Sequence, residues 1–309
     1  MGKFLRALAF PAGALIEGNT LSVHMDTTLY RWPAGTRAAL KRWDPADTGD
    51  YADKRAAKHK LRSDIKKLVT LQDLLYASAS HGVLVIFQGM DSAGKDSAIK
   101  HVMSGVNPQG VDVHSFRGPT DEERKHDYLW RCARVVPERG RVGIFNRSYF
   151  EEVLIVRVHP ELLGQPLARH ANAALWRRRY RDINDFERYL ADNRIHVLKF
   201  FLHISRREQA ARFLERIKRP DKQWKFSSAD IAQRAYWTQY MKAYEDMLNA
   251  TSTRWAPWYV IPADHKWFAH VVVADILVRK LRSLRLAYPR LDPAMRRTLR
   301  AVERHLKHG

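Results

Sequence analysis

Acidic residues are scarce in this chain. Its 309 residues hold 33 Asp and Glu against 54 Lys and Arg, a formal net charge of +21. Partners that need an acidic surface are excluded; a surface this basic attracts polyanions such as nucleic acid, acidic lipid or polyphosphorylated ligands. Cysteine is almost absent. The single thiol, Cys132, rules out an intrachain disulfide and a zinc site built on several thiolates, and it fits a reducing compartment. Long apolar runs are missing too. Val83–Phe87 and Val271–Ala274 are core-sized, well below the ~18 residues of a membrane span. The opening MGKFLRALAFPAGALIEG is basic and then apolar, like a leader peptide, but Glu17 interrupts it, so a cytoplasmic chain with no membrane partner is expected.

What is present is enough for a full core. Hydrophobic residues make up 45% and aromatics 11%, which excludes wholesale disorder. Residues 1–50 are punctuated by Pro and Gly and are expected to form an arm on a single catalytic domain over 51–289. From 51 to 80, Leu61, Ile65, Leu68, Leu71 and Leu75 recur at helical spacing. The apolar, β-branched run at 82–89 then reads as a buried parallel strand, and further strands are expected at 111–116, 141–145, 195–204 and 258–261. Helices are expected between them, at about 95–105, 121–133, 171–192, 206–217, 228–249 and 265–286. Capping boxes stand at Thr120/Glu123 and Ser205/Glu208. The alternation predicts a parallel sheet covered on both faces. The basic tail 290–309 reads as a solvated surface helix.

The first strand runs into Gly89-Met90-Asp91-Ser92-Ala93-Gly94-Lys95-Asp96-Ser97. Strand, Gly-x4-Gly-Lys, helix is the arrangement in which loop amides, a helix N-terminus and a lysine cradle phosphate oxygens. Gly89, Ala93, Gly94, Asp96 and Ser97 are the expected phosphate-binding positions. The strict pattern has Ser or Thr directly after the lysine; here Asp96 takes that place. Asp91 inside the loop repels phosphate unless a metal bridges them, so it reads as a Mg²⁺ ligand or as an orienter of the accepting phosphate.

The third strand ends in Asn146-Arg147-Ser148-Tyr149-Phe150-Glu151-Glu152. Ligands sit at the carboxyl ends of parallel strands, where Arg147 can clamp phosphates. Phosphate-loop enzymes usually place an aspartate where this chain has Asn146, and Glu151 or Glu152 is expected to supply the missing charge. Residues 212–225 carry Arg212, Arg216, Lys218, Arg219, Lys222 and Lys225 around Pro220. Two basic helical pieces joined by a proline turn make a lid, spanning about 212–230, that can fold over a polyanion.

Together the loop at 89–97, GVNPQG (105–110), FNRSYFEEVLIVRVHPE (145–161), RPDKQWKFS (219–227) and APWYVIPADHKWF (256–268) resemble the polyphosphate kinase 2 family. The resemblance implies a three-layer α/β/α phosphate-loop kinase fold, similar to thymidylate kinase, with a parallel sheet of about five strands and a helical lid. It implies phosphoryl transfer between inorganic polyphosphate and AMP, ADP or both, yielding ADP or ATP, with Mg²⁺ or Mn²⁺. It also implies a homo-oligomer, with Asp91 and Lys95 at the reaction centre beside Arg147. Residues 105–161 resemble the branch that accepts AMP; an ADP-only enzyme usually has Asp-Arg-Ser-Trp-Tyr where this chain has 146–150. An ATP-dependent nucleotide kinase would share the loop and lid without needing so basic a lid. A nucleic-acid-binding protein would share only the charge, and no helix-turn-helix, zinc-finger or RNA-recognition signature accompanies it.

Overall fold

The computed structural model describes residues 25–165 and 167–308; the first 24 positions of the expected arm lie outside the described residues. Gly82–Gln88 (β1), Val111–Ser115 (β2), Val142–Asn146 (β3), Ile195–His203 (β4) and Trp258–Pro262 (β5) form one parallel sheet in the order β2-β3-β1-β4-β5. Every residue of β1 is buried, as an apolar central strand with helices on both faces requires. One helical layer holds Lys54–Ser78 (α1), Lys95–Val102 (α2) and a helix at Lys266–Ser283; the other holds Ala173–Asp192 (α3) and a helix at Trp237–Thr251. The Asp53 carboxylate caps α1 by accepting from the Arg55 and Ala56 amides, a contact worth about 1 kcal/mol.

Sheet register positions the chemistry. Phe87 lies opposite Asn146 on one side and Phe200 on the other, so the loop after β1 emerges level with the end of β3, beside β4, which runs on to His203. The chain steps from β1 out to β2 and returns through β3 before β4 adds to the opposite edge. The loop therefore opens at a topological switch point, where such sheets bind ligands.

Three expected helices come out differently. The helix expected at 121–133 is two short turns, Asp121–Arg124 and Trp130–Ala133. Between them the Asp127 carboxylate accepts from the Leu129 amide at 2.9 Å, a local turn that competes with helical pairing. The helix expected at 228–249 is broken into Ser228–Gln233, a 3-10 turn at Arg234–Tyr236, and Trp237–Thr251. The break falls where the chain passes from an exposed lid to a buried face. The helix expected at 95–105 ends at Val102.

The Thr120/Glu123 capping box is complete. At Ser205 it is half-formed. The hydroxyl accepts from the Glu208 amide at 3.1 Å, but the Ser205 amide donates to Asp264, and Glu208 turns to Arg212 at 2.8 Å.

Residues 25–53 run across the β5 edge. The Trp32 amide donates to Trp258 O at 2.9 Å, and the Asn249 side chain pairs with both backbone groups of Ala38. Trp32 is fully buried and stacks on Trp43 with ring centroids 4.5 Å apart. At the other end, Pro293–His308 is a helix. It is exposed from Pro293 to Lys307, as the basic tail predicts, but it is not uniformly polar: Met295, Leu299, Val302 and Leu306 are exposed with the rest.

Candidate active site

Backbone shape builds the loop first. Gly89 has φ +152°, and a Cβ there would sit 2.8 Å from Leu202 O; Gly94, one residue before α2, has φ +109°. Both are conformations that side chains resist. Lys95, the first residue of α2, is buried and folds back so that its Nζ donates to Gly89 O at 2.6 Å and Met90 O at 3.3 Å. Burial lowers its pKa to about 8, the Arg147 charge pushes the same way, and Asp91, Glu151 and Asp96 oppose. Carbonyls hold this ammonium without supplying a counter-charge.

Arg147 follows β3 with φ +63°, a left-handed conformation costing a non-glycine residue roughly 1–2 kcal/mol. Its amide donates to Phe87 O at 3.0 Å, which aims the side chain at the loop, and a guanidinium nitrogen donates to Asp91 Oδ1 at 2.7 Å. Burial works against the charge of Arg147, but Glu151 and Asp91 outweigh it and its pKa rises. Of the two expected glutamates, only Glu151 joins this centre. Burial raises its pKa, with Arg147 and Lys95 pulling it back. Its carboxylate lies 2.9 Å from the Gln88 amide nitrogen in the orientation that also satisfies the Ser148 amide. Glu152 instead pairs with Arg179 at 2.7 Å.

Asn146 does not line the loop as a free amide. Its Nδ2 donates to Asp96 Oδ1 at 2.7 Å, and Lys225 of the lid lies 3.5 Å from the other Asp96 oxygen. Burial opposes the Asp96 charge, but the Asn146 hydrogen bond and Lys225 outweigh it and its pKa falls. Ser97 also departs from expectation. Its hydroxyl meets His270 Nε2 at 3.2 Å, a contact between helices, because one residue beyond Asp96 the helix turns the side chain toward its neighbour.

The lid residues divide into three groups. Arg212 does not belong to an exposed basic track. It is buried, with Nη1 donating to Ser92 O (2.9 Å) and Ala93 O (2.8 Å), and Nη2 to Ala263 O (2.5 Å) and Asp264 O (3.0 Å). Each of these donors serves the loop's own scaffold. Arg216 and Lys225 face the loop, Arg216 through a 2.8 Å hydrogen bond to Ser92 Oγ. Lys218 is exposed, Lys222 pairs with Glu215 at 2.6 Å and Arg219 with Asp221 at 2.7 Å. None of these three makes a hydrogen bond or ion pair to the loop.

The structure adds residues the motifs did not single out. Asp230, on the lid piece Ser228–Gln233, sits 3.6 Å from Arg216. Burial and the negative charge of Asp91 raise its pKa. Lys266 begins the helix after β5, and its Cγ lies 3.9 Å from where a Gly94 Cβ would be; burial and then Arg212 lower its pKa. Beneath the site, Lys199 of β4 and Glu187 of α3 are both 0% exposed and pair at 2.5 Å. Glu187 also accepts from the Tyr149 hydroxyl at 2.9 Å, and Lys199 donates to Thr251 O at 2.7 Å. This network pins the segment between Arg147 and Glu151 from below.

Among the described residues, no three His, Cys, Asp or Glu side chains are grouped to hold a metal. Asp91 nonetheless offers a carboxylate beside the phosphate cradle, its side chain 24% exposed. One or two carboxylates completed by substrate phosphates and water is the usual way a protein holds Mg²⁺. The donor set therefore fits a divalent cation that would arrive with phosphates, and Asp91 is the carboxylate that would hold it. No described helix is long and apolar enough to cross a membrane.

A family model described as polyphosphate kinase 2 matches residues 51–287. A Rhodopseudomonas palustris protein named ADP-polyphosphate phosphotransferase is 46% identical over 283 residues, covering 91% of this chain and 98% of its own. A Meiothermus ruber protein named AMP/ADP-polyphosphate phosphotransferase is 46% identical over 266 residues, covering 86% and 96%. The crystal structure of polyphosphate kinase 2 from Arthrobacter aurescens TC1 superposes with a TM-score of 0.80 at 40% identity, covering 89% of this chain and 95% of that one. With the loop, the strand-end arginine and the lid already in register, the chain belongs to the polyphosphate kinase 2 family.

Proposed function

We propose that this chain transfers a phosphoryl group between inorganic polyphosphate and an adenine nucleotide, accepting AMP as well as ADP, with Mg²⁺ as the working metal and Mn²⁺ as a substitute. The observation that carries this reading is the convergence of three cationic side chains from separate elements on one loop: Lys95 from α2, Arg147 from the turn after β3 and Arg216 from the lid. Relatives of equal identity bear ADP and AMP/ADP names, so the AMP reading rests on the resemblance of residues 105–161 to the AMP-accepting branch.

Phosphoryl transfer is largely positioning and charge stabilisation. Loop amides and the α2 N-terminus receive phosphate oxygens, and Lys95 leaves its carbonyl contacts to neutralise charge on the transferring group. Arg147 exchanges Asp91 for phosphate and aligns donor with acceptor. The exchange frees Asp91, which would hold the divalent cation, and the cation would offset phosphate charge. Arg216 and Lys225 draw the lid over the chain and exclude water from the transfer. Incubating the enzyme with polyphosphate, Mg²⁺ and each nucleotide separately, without ATP, tests the reading. ADP formed from AMP supports it; reaction with ADP alone overturns the AMP assignment, and no transfer without ATP overturns the donor.

A further inference from the structure

The helix Pro293–His308 lies beyond the residues the family model matches. Met295, Leu299, Val302 and Leu306 are 48%, 48%, 47% and 76% exposed. Their spacing of four, three and four is the narrow seam of a two-helix coiled coil, not the wide apolar face of a helix lying on lipid. Around the seam stand five arginines and lysines and one glutamate. A second helix laid parallel would bring each of these charges level with its own copy.

Antiparallel pairing changes the electrostatics. With Leu299 against Val302 of a second copy and Met295 against its Leu306, the flanking Arg296 falls beside Glu303 of the other helix, and the contact occurs twice. The other flanks, Thr298 and His305, face one another with no acidic or permanently charged group between them. Arg297, Arg300, Arg304 and Lys307 point away from the seam. In the single chain Glu303 is occupied by Lys307 at 2.6 Å, an exposed pair worth little.

We propose that this helix is a self-association surface that docks antiparallel on the same helix of a second copy, with reciprocal Arg296–Glu303 contacts setting its direction. The inference does not depend on the reaction.

The test uses the full chain. Sedimentation across a concentration series should show association that Arg296→Glu and Glu303→Arg each weaken by about tenfold or more, and that the double exchange restores; unchanged transfer activity shows that the variants fold. For direction, a Leu299→Cys chain is mixed with a Val302→Cys chain under mild oxidation. Cys132 is buried and does not compete. Mixed disulfide dimers are expected; like-with-like dimers overturn the antiparallel geometry. A double exchange as weak as either single one, or association that a Leu299→Lys/Val302→Lys chain leaves unchanged, overturns the proposal. So does binding of the helix to phosphatidylserine vesicles with no change in protein mass.

Discussion

Two buried lysines, one at the end of the sheet and one in its middle, have opposite surroundings. Lys199 is fully enclosed, its charge met by Glu187 and its donors completed by Thr251 O, with the Phe150 and Trp258 rings each 5.3 Å away. Lys95 is nearly as buried but finds only carbonyls, and its pKa falls to about 8. The first arrangement is complete in itself and serves the fold. The second lacks a carboxylate partner of its own, which suits the phosphate-binding role proposed for it. Burial alone therefore does not separate a structural cation from a functional one; whether its counter-charge is built in does.

Removing each lysine's support sharpens the contrast. Lys95→Ala is expected to lose at least ~10²-fold in turnover, as loss of a transition-state charge does, with an unchanged denaturation midpoint. Near-normal turnover in a folded variant would remove the loop from the reaction. At Glu187 the effect moves to stability. Glu187→Gln leaves Lys199 charged and poorly paired in the core, costing about 3–5 kcal/mol in a urea titration. Glu187→Leu with Lys199→Met should recover most of that loss, and failure to do so means the pair itself stabilises the fold.

The pH profile gives a smaller and more specific effect. Protonated Lys95 is the phosphate-binding form, so kcat/KM for polyphosphate should hold level below a pH of about 8 and fall above it. Bound phosphates favour the ammonium, so the fall in kcat should lie at higher pH. The Glu187→Leu/Lys199→Met chain should keep the same alkaline limb; its disappearance would assign the limb to the core pair. On the lid the expected effect is smallest. Lys225→Ala should raise KM for polyphosphate several-fold and flatten its salt dependence, whereas Lys222→Ala, which removes a cation already paired with Glu215, should do less. Equal effects would mean that a cation already paired within the lid contributes as much as one paired with the loop.

Local patterns made much of this legible. An apolar run closed by glycines gave β1, its loop and α2, and the complete Thr120 box follows from four adjacent residues. Long-range closure stayed hidden. Arg212 and Arg216 are one helical turn apart in the same charge run, and only packing decides that one brackets loop carbonyls while the other reaches Ser92 Oγ. Lys266 stands inside the family-like segment 256–268, but neither that segment nor the helical context of Asp230 shows that the two arrive beside Gly94 and Asp91. Lys199 did leave a signal, as the only lysine or arginine inside the otherwise apolar run VLKFFL, and a buried strand with such a residue calls for a partner.

Apart from Lys95, three cations of the cleft are already paired with carboxylates: Arg147 holds Asp91, Lys225 lies beside Asp96, and Arg216 beside Asp230. These carboxylates act as tethered competitors. A lone orthophosphate must displace them one at a time against high effective concentration, while linked phosphates displace several in a single binding event and their gains multiply. Internal competition of this kind is therefore expected to favour longer chains. Inhibition should steepen from orthophosphate to tripolyphosphate to longer chains, and equal potency per phosphate across that series would contradict it.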